Sequence, residues 1–271
     1  MQAGLKKNSV QETLLIPLRA RAEFSRRHPE LFFDPDALRL ARKLGLGPSG
    51  HGASGYGGLL YAVRQDALIA SARRYLELRP EATVVNLGCG LDTSFSGADN
   101  GSCRWVSLDL PEVIDFRRGL LAPREREEYL ACDALDLSWL DRVDGSKGLF
   151  VIAGGVFYYF LPERIRALLC ALAEHFPGGG ICFDCEGAIA AAVSSALVYR
   201  SGNTGAPMYF SVRNAERLFR PWSARFGEIR TINRLPEKYA RRGALPARLR
   251  LPLSLFMRCG ALKFVEIGFA A

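Results

Sequence analysis

Residues 82–95 read ATVVNLGCGLDTSF. An apolar run closes at Leu87, glycines follow at Gly88 and Gly90, and an acid stands at Asp92. A short β-favouring run that stops in a glycine turn has the form of a buried strand entering a loop that something must approach closely. The next acid of interest, Asp109, ends the segment RWVSLDL about twenty residues on. That is the spacing at which the second strand of a βαβ unit offers a carboxylate to a ribose diol.

Outward from this stretch, strand-like and helix-like segments alternate. TVVNLG, RWVSLDL, EYLACDA, GLFVIAGG and GGICFDCEG read as strands, with PEVIDFRRGLL and PERIRALLCALAEHF as helices between them. Such alternation implies a parallel sheet with helices on both faces. The clearest helix opens at Pro162 and is stopped by Pro177 and three glycines. Upstream, residues 10–45 read mainly as helix, broken where Pro29 and Pro35 fall. GLGPSGHGASGYGG is loop by composition, and a helix follows it through LLYAVRQDALIASARRYLELRP. After Gly187 the alternation lapses, and two last strands, near 227–235 and within 259–271, are expected to complete a seven-stranded sheet. The expected layout is one domain: an N-terminal helical region (1–80), a nucleoside-binding core (81–187), a lid and substrate region (188–258), and the final strand.

The turn does not suit a dinucleotide. The nicotinamide fingerprint needs a third glycine, which lets helix and strand pack closely beneath a diphosphate. Here the string is Gly88-Cys89-Gly90-Leu91-Asp92-Thr93, with an acid where an anion would need a favourable helix start. A nucleoside that lacks phosphate and carries positive charge fits better, and S-adenosylmethionine has both properties. The plainer alternative is an ordinary turn with Asp109 as a surface cap. Asp133, ending the third strand, is either an acceptor for an exocyclic amine or the N-cap of the following helical stretch. The fourth strand ends in Gly154-Gly155, small enough to leave room for a transferring methyl, before VFYYF. Tyr158 and Tyr159 are candidates for the acceptor wall, with a core role expected for one of them.

Bulk properties bound the rest. The chain has 271 residues, is 49% hydrophobic and has a mean hydropathy near zero. No stretch approaches the roughly 18 apolar residues of a membrane span, nor does the N-terminus have a signal-peptide pattern; the expectation is cytoplasmic. Seven scattered cysteines argue against a disulfide framework. Cys182 and Cys185 form a C-x-x-C within a strand, where residues three apart face opposite ways, so no metal site is expected. The net charge of +8 is concentrated after Ser211, in arginines that include Arg213 and Arg217. They lack the interleaved aromatics of a nucleic-acid platform. A solvated cap surface is the plain reading; attraction of an anionic small-molecule acceptor by Arg213 and Arg217 is the functional one. His28, His51 and His175 are dispersed, and none falls in a strand-end motif.

Several of these segments together resemble a known family. ETLLIPLRARA, ATVVNLGCGLDT, RWVSLDLPEVIDFRR, GGVFYYFLPERIRALLCALAEHFPGG and FDC are similar to the leucine carboxyl methyltransferase superfamily, in particular its bacterial tetracenomycin-type polyketide O-methyltransferase branch. The resemblance runs from about residue 11 to 187 and fades through the lid. It implies a class I methyltransferase fold and methyl transfer from S-adenosylmethionine to an oxygen, frequently a carboxylate, of a small acceptor. It implies Gly88 and Gly90 against the methionine part, Asp109 on the ribose and Asp133 beside adenine. Arg64 would pair with the cofactor's carboxylate, with Arg19 and Arg21 as second partners. Cys89, Leu110, Ala134, Ala153 and Gly154 complete the expected cofactor-binding set. Two departures stand out: Ser94 where the family often has arginine, and Gly154 where it commonly has glutamate. A non-catalytic cofactor-binding protein and an NAD(P)-dependent oxidoreductase are the competing readings. A carboxylate acceptor, already ionised at neutral pH, would need no general base, which matches the dispersed histidines.

Overall fold

The computed structural model describes residues 14–47, 56–188, 190–192 and 208–271. Its centre is a seven-stranded sheet: β1 (Thr83–Leu87), β2 (Arg104–Asp109), β3 (Glu127–Ala131), β4 (Leu149–Ala153), β5 (Gly180–Glu186), β6 (Phe226–Ile232) and β7 (Leu262–Phe269). The strand order is β3-β2-β1-β4-β5-β7-β6, with β7 alone antiparallel to its neighbours. β1 is buried along its whole length because helices cover both sides of the sheet, which is why it reads as an unbroken apolar run.

Helix α3 (Gly58–Leu78) packs Leu59, Ala62, Val63 and Leu68 on the face carrying Val84, Ile152 and Cys182. Helix α6 (Pro162–His175) packs Ile165, Leu168 and Leu172 on the opposite face, against Val85, Val151, Ile181 and Phe183. Cys182 and Cys185 therefore fall on opposite faces, as their spacing requires. All seven cysteines are free; Cys259 is exposed. α1 (Leu15–Arg27) and α2 (Pro35–Lys43) are separated where the prolines predict. Asp34 caps α2 by accepting from the Ala37 amide at 2.8 Å. Together α1 and α2 bury Leu18, Ala22 and Leu40 against Leu91, in the glycine turn. α4 (Phe95–Ala98) and α5 (Pro111–Leu120) complete the first half.

The last strands form where expected. The region between them, expected as part of a helical lid, contains the helix Ala247–Arg258, which seats Leu253 and Met257 in the core on the α3 side. Residues 193–207, part of the expected lid, and residues 48–55, within the glycine-rich loop that holds His51, lie outside the described residues. Among the described residues no helix is long and apolar enough to cross a membrane.

Candidate functional site

Strand order reverses between β1 and β4, and open α/β sheets hold their ligands at the carboxyl ends of strands at such a point. A cavity of about 550 Å³ lies there. Its wall includes Arg64, Gly88, Cys89, Gly90, Asp109, Leu110, Asp133, Ala134, Gly154, Tyr158 and Tyr159, drawn from five separate segments of chain. Ala153 is outside this set: it is 1% exposed, inside the core. Arg213 and Arg217 are exposed and do not line the cavity. Of the described residues in 188–258, Met208 alone contributes to the wall.

The glycine turn is shaped by its own neighbours. Gly88 has φ +64°, and a Cβ there would lie 2.4 Å from Val156 Cγ2. The close approach that demands glycine is thus that of the segment after β4, and only through it that of a ligand. Several amides of the turn are bonded within the chain. Gly90 N donates to Asp109 Oδ2 at 2.7 Å, and Asp92 N to the Cys89 carbonyl at 2.7 Å. Ser94 N donates to Asp92 Oδ1 at 2.8 Å. Thr93, at the place of the missing third glycine, is buried; its hydroxyl donates to Asp34 Oδ2 at 2.6 Å and accepts from Gln65 Nε2 at 3.2 Å. With the Gly90, Asp92 and Ser94 amides committed, the turn offers a diphosphate less than an open nest would.

Two buried arginines hold the turn from below. Arg117 of α5 donates to the carbonyls of Gly90 (3.0 Å) and Asp92 (2.7 Å), and pairs with Glu127 at 3.0 Å. Arg21 of α1 donates to the Leu91 carbonyl at 2.8 Å and faces Asp34 (3.3 Å) and Asp92 (3.6 Å). Arg21, weighed from sequence as a cofactor partner, lines the cavity while gripping the turn; Arg19 does not line it. Neither Arg117 nor Asp34 was singled out from sequence.

Asp109 receives Gly90 N on Oδ2 and Leu110 N, at 2.8 Å, on Oδ1. Each oxygen keeps a second lone pair. Burial raises its pKa above the ordinary 3.8, against the opposing effect of those two amides. Asp133 is exposed at the cavity edge and closes a local turn by accepting from Leu135 N at 2.9 Å; the cap of the following 3-10 helix is Asp136 instead. Burial pushes the Cys89 thiol well above its usual range, which disfavours the thiolate.

A second cluster, under the β4 and β5 ends, was not visible as a site in the sequence. Asp184, fully buried on β5, accepts from Gly155 N (2.6 Å) and the Tyr158 hydroxyl (2.9 Å), and Arg64 Nε lies 2.7 Å from it. Tyr158 is thereby the core tyrosine, while Tyr159 is half-buried. Burial alone would lower the Arg64 pKa and is the largest single effect; the charge of Asp184, with Tyr158, Tyr61 and Glu186 adding to it, outweighs it and holds the guanidinium protonated. Its ring neighbour is Tyr61, 5.0 Å from the guanidinium carbon. Glu186, two residues beyond Asp184, also lines the cavity. Among the described residues no group of side chains could hold a metal ion.

No protein-family model matches the chain. Among curated proteins it is similar to the tetracenomycin polyketide synthesis O-methyltransferase TcmP of Streptomyces glaucescens, with 28% identity over 185 residues, 68% of either chain. Among solved structures, a candidate methyltransferase from Thermobifida fusca superposes with a TM-score of 0.58 at 17% identity, covering 93% of this chain and 94% of that one. A DUF574 family protein from Streptomyces avermitilis gives 0.55 at 16% identity, covering 92% and 96%. The strand order and these likenesses establish the class I methyltransferase fold that the sequence led us to expect.

Proposed function

We propose that this chain, an S-adenosylmethionine-dependent methyltransferase similar in sequence to a polyketide O-methyltransferase, moves a methyl group to an oxygen of a small-molecule acceptor. One observation carries the reading. A cavity at the β1/β4 reversal combines an acid at the end of β2 with a glycine turn whose Gly90, Asp92 and Ser94 amides are already bonded, so it suits a phosphate-free nucleoside. The donor set fits the molecule part by part. The free lone pairs of Asp109 match the ribose hydroxyls, and Asp133 matches the adenine amine. Arg64, steadied by Asp184, matches the carboxylate. The described lining holds Asp92, Asp109, Asp133 and Glu186 against Arg21 and Arg64, an acidic surplus that favours a cation.

Bound there, S-adenosylmethionine supplies an electrophilic methyl group on positively charged sulfur. The chain's own part is placement. Gly154 and Gly155 let Leu68 and the Arg64 guanidinium pack against the end of β4, and Val156, Tyr159, Phe160 and Met208 wall the acceptor side with apolar surface. Such walls exclude water and hold the acceptor oxygen in a productive arrangement. Titration calorimetry tests the reading. S-adenosylmethionine should bind the wild type and bind Asp109→Ala about ten- to a hundred-fold more weakly, the loss of one or two hydrogen bonds to a charged acceptor. Binding of reduced nicotinamide dinucleotide in its place, or no binding of either, would refute it.

A further inference from the structure

β7 carries a charge where its pattern calls for an apolar residue. Its alternation puts Lys263 on the face of Val265 and Ile267, the side on which α6 packs, and the residue is only 4% exposed. Among the described residues no carboxylate pairs with it. Its ammonium is spent on two backbone carbonyls, those of Val212 at 2.6 Å and Arg213 at 3.2 Å. An ammonium taken this far out of water is costly unless it is well bonded, so the part of the chain that owns those carbonyls shows what the charge is for. Residues 208–213 form a strap with no helix or strand of its own. Tyr209 N donates to the Tyr158 carbonyl at 2.7 Å and Val212 N to the Glu186 carbonyl at 2.9 Å, which ties the strap to two residues of the cavity lining. Phe210 and Val212 are buried with Phe183 and Phe219, and Met208, at the head of the strap, lines the cavity. Among the described residues the Lys263 ammonium is the only side-chain group bonded to this backbone. Bonds from a charged donor are stronger than the neutral amide–carbonyl bonds at the other two anchors.

Resting on the methyl-transfer reading above, we propose that Lys263 is a positioning residue for the acceptor. It lies outside the cavity lining and acts through the strap, fixing the place of Met208 in the acceptor wall. The acids that match the nucleoside, Asp109 and Asp133, stand beyond β1 and β4, on the far half of the sheet from β7. Loss of the Lys263 charge therefore loosens the acceptor's place and leaves the cofactor's intact.

Lys263→Met keeps a long unbranched side chain and removes the ammonium. The Tyr209, Phe210 and Val212 amides should then exchange hydrogen at least about ten-fold faster than in the wild type, while those of β1 and β4 keep their protection. With S-adenosylhomocysteine present, calorimetry should find 1-naphthol, a neutral apolar probe, bound about ten-fold more weakly, and S-adenosylmethionine affinity should stay within about two-fold of wild type. Met208→Ala should weaken 1-naphthol by itself, and the double variant should bind it no more weakly than Lys263→Met alone, since both changes act through one contact. A merely structural role for Lys263 would make the two losses add. The wild type gives a check that needs no variant: 1-naphthol added to the S-adenosylhomocysteine complex should slow exchange of the strap amides further. Unchanged strap exchange in Lys263→Met, equal losses of 1-naphthol and S-adenosylmethionine affinity, or additive losses in the double variant would overturn the proposal. So would a wild type whose strap amides 1-naphthol does not protect, or which does not bind 1-naphthol. Failure of the wild type to bind S-adenosylmethionine at all would instead strike the methyl-transfer reading.

Discussion

Asp184→Asn is the sharpest perturbation of the second cluster. It keeps the side chain's size and one acceptor oxygen, enough for the Gly155 amide at 2.6 Å, but removes the charge opposite Arg64. The Asp184 side chain has no solvent exposure and that of Arg64 only 16%. Breaking a buried pair from one side costs about 3–5 kcal/mol, because the surviving charge stays desolvated without its partner. The residual exposure of Arg64 puts the expectation at the lower end, about 3 kcal/mol, since water can reach that charge in part. For a chain of this size that corresponds to a fall in Tm of about 6–12 °C. Arg64, no longer fixed, should also lose about ten-fold in S-adenosylmethionine affinity, about 1.4 kcal/mol. Circular dichroism melts and calorimetry read the two effects separately. Tyr158→Phe removes a single hydrogen bond of 2.9 Å to the same carboxylate and should cost less, about 1.5–3 kcal/mol. A Tm for Asp184→Asn within about 2 °C of wild type would amount to under about 1 kcal/mol and refute the account of a charge held for Arg64.

Two further changes probe the first cluster. Gly88→Ala should destabilise by about 2–5 kcal/mol, combining a left-handed backbone without glycine and a collision with Val156; adding Val156→Ala should recover only the steric share, as urea denaturation can show. Asp109 carries a raised pKa, so between 3.8 and that higher value the folded state holds a proton that the unfolded chain has lost. Its contribution to stability is therefore present below 3.8 and lost as the pH rises through the folded value. In denaturation series run upward from about pH 4, wild-type stability should fall relative to Asp109→Asn; a difference that is flat or rises with pH would contradict the burial assigned to this carboxyl.

What the sequence made legible is what periodicity and punctuation encode. The alternating segments, the stop at Gly88 and the acid closing β2 depend on local pattern, and all appear at their expected places at the strand ends. Arg117 and Asp184 were missed because their roles depend on tertiary partners. Both nevertheless leave a trace: a charge on an apolar stripe. Arg117 follows Val113 and Ile114 on the buried side of α5, and Asp184 sits inside a strand buried at every position. A charge in such a place must be paired, and the pairs here support the turn and the cavity floor. Arg213 and Arg217 mislead for the opposite reason, since a run of arginines in sequence does not say which way it faces. Ala153 was one residue short of the rim; the alternation of β4 turns it into the core.

Gly154 raises the remaining question, because the resembled family commonly has glutamate there. A Cβ on Gly154 would lie 2.9 Å from Leu68 Cδ1 and 3.6 Å from Arg64 Cδ, so a side chain at this position points to α3 and Arg64. Ala153 pairs with Phe183 across β4 and β5, which puts residue 184 beside residue 154 on the neighbouring strand. A carboxylate moved sideways by one strand, about 4.8 Å, can meet the same guanidinium. On this reasoning Asp184 can steady Arg64 without an acid at position 154. Placing glutamate at 154 in the Asp184→Asn background should then recover S-adenosylmethionine affinity, with the flexible end of Leu68 yielding to make room. Gly154→Ala in that background introduces the same steric contact without the charge and should recover nothing. Equal affinities for the two double variants would mean that Arg64 is held by something other than the charge of Asp184.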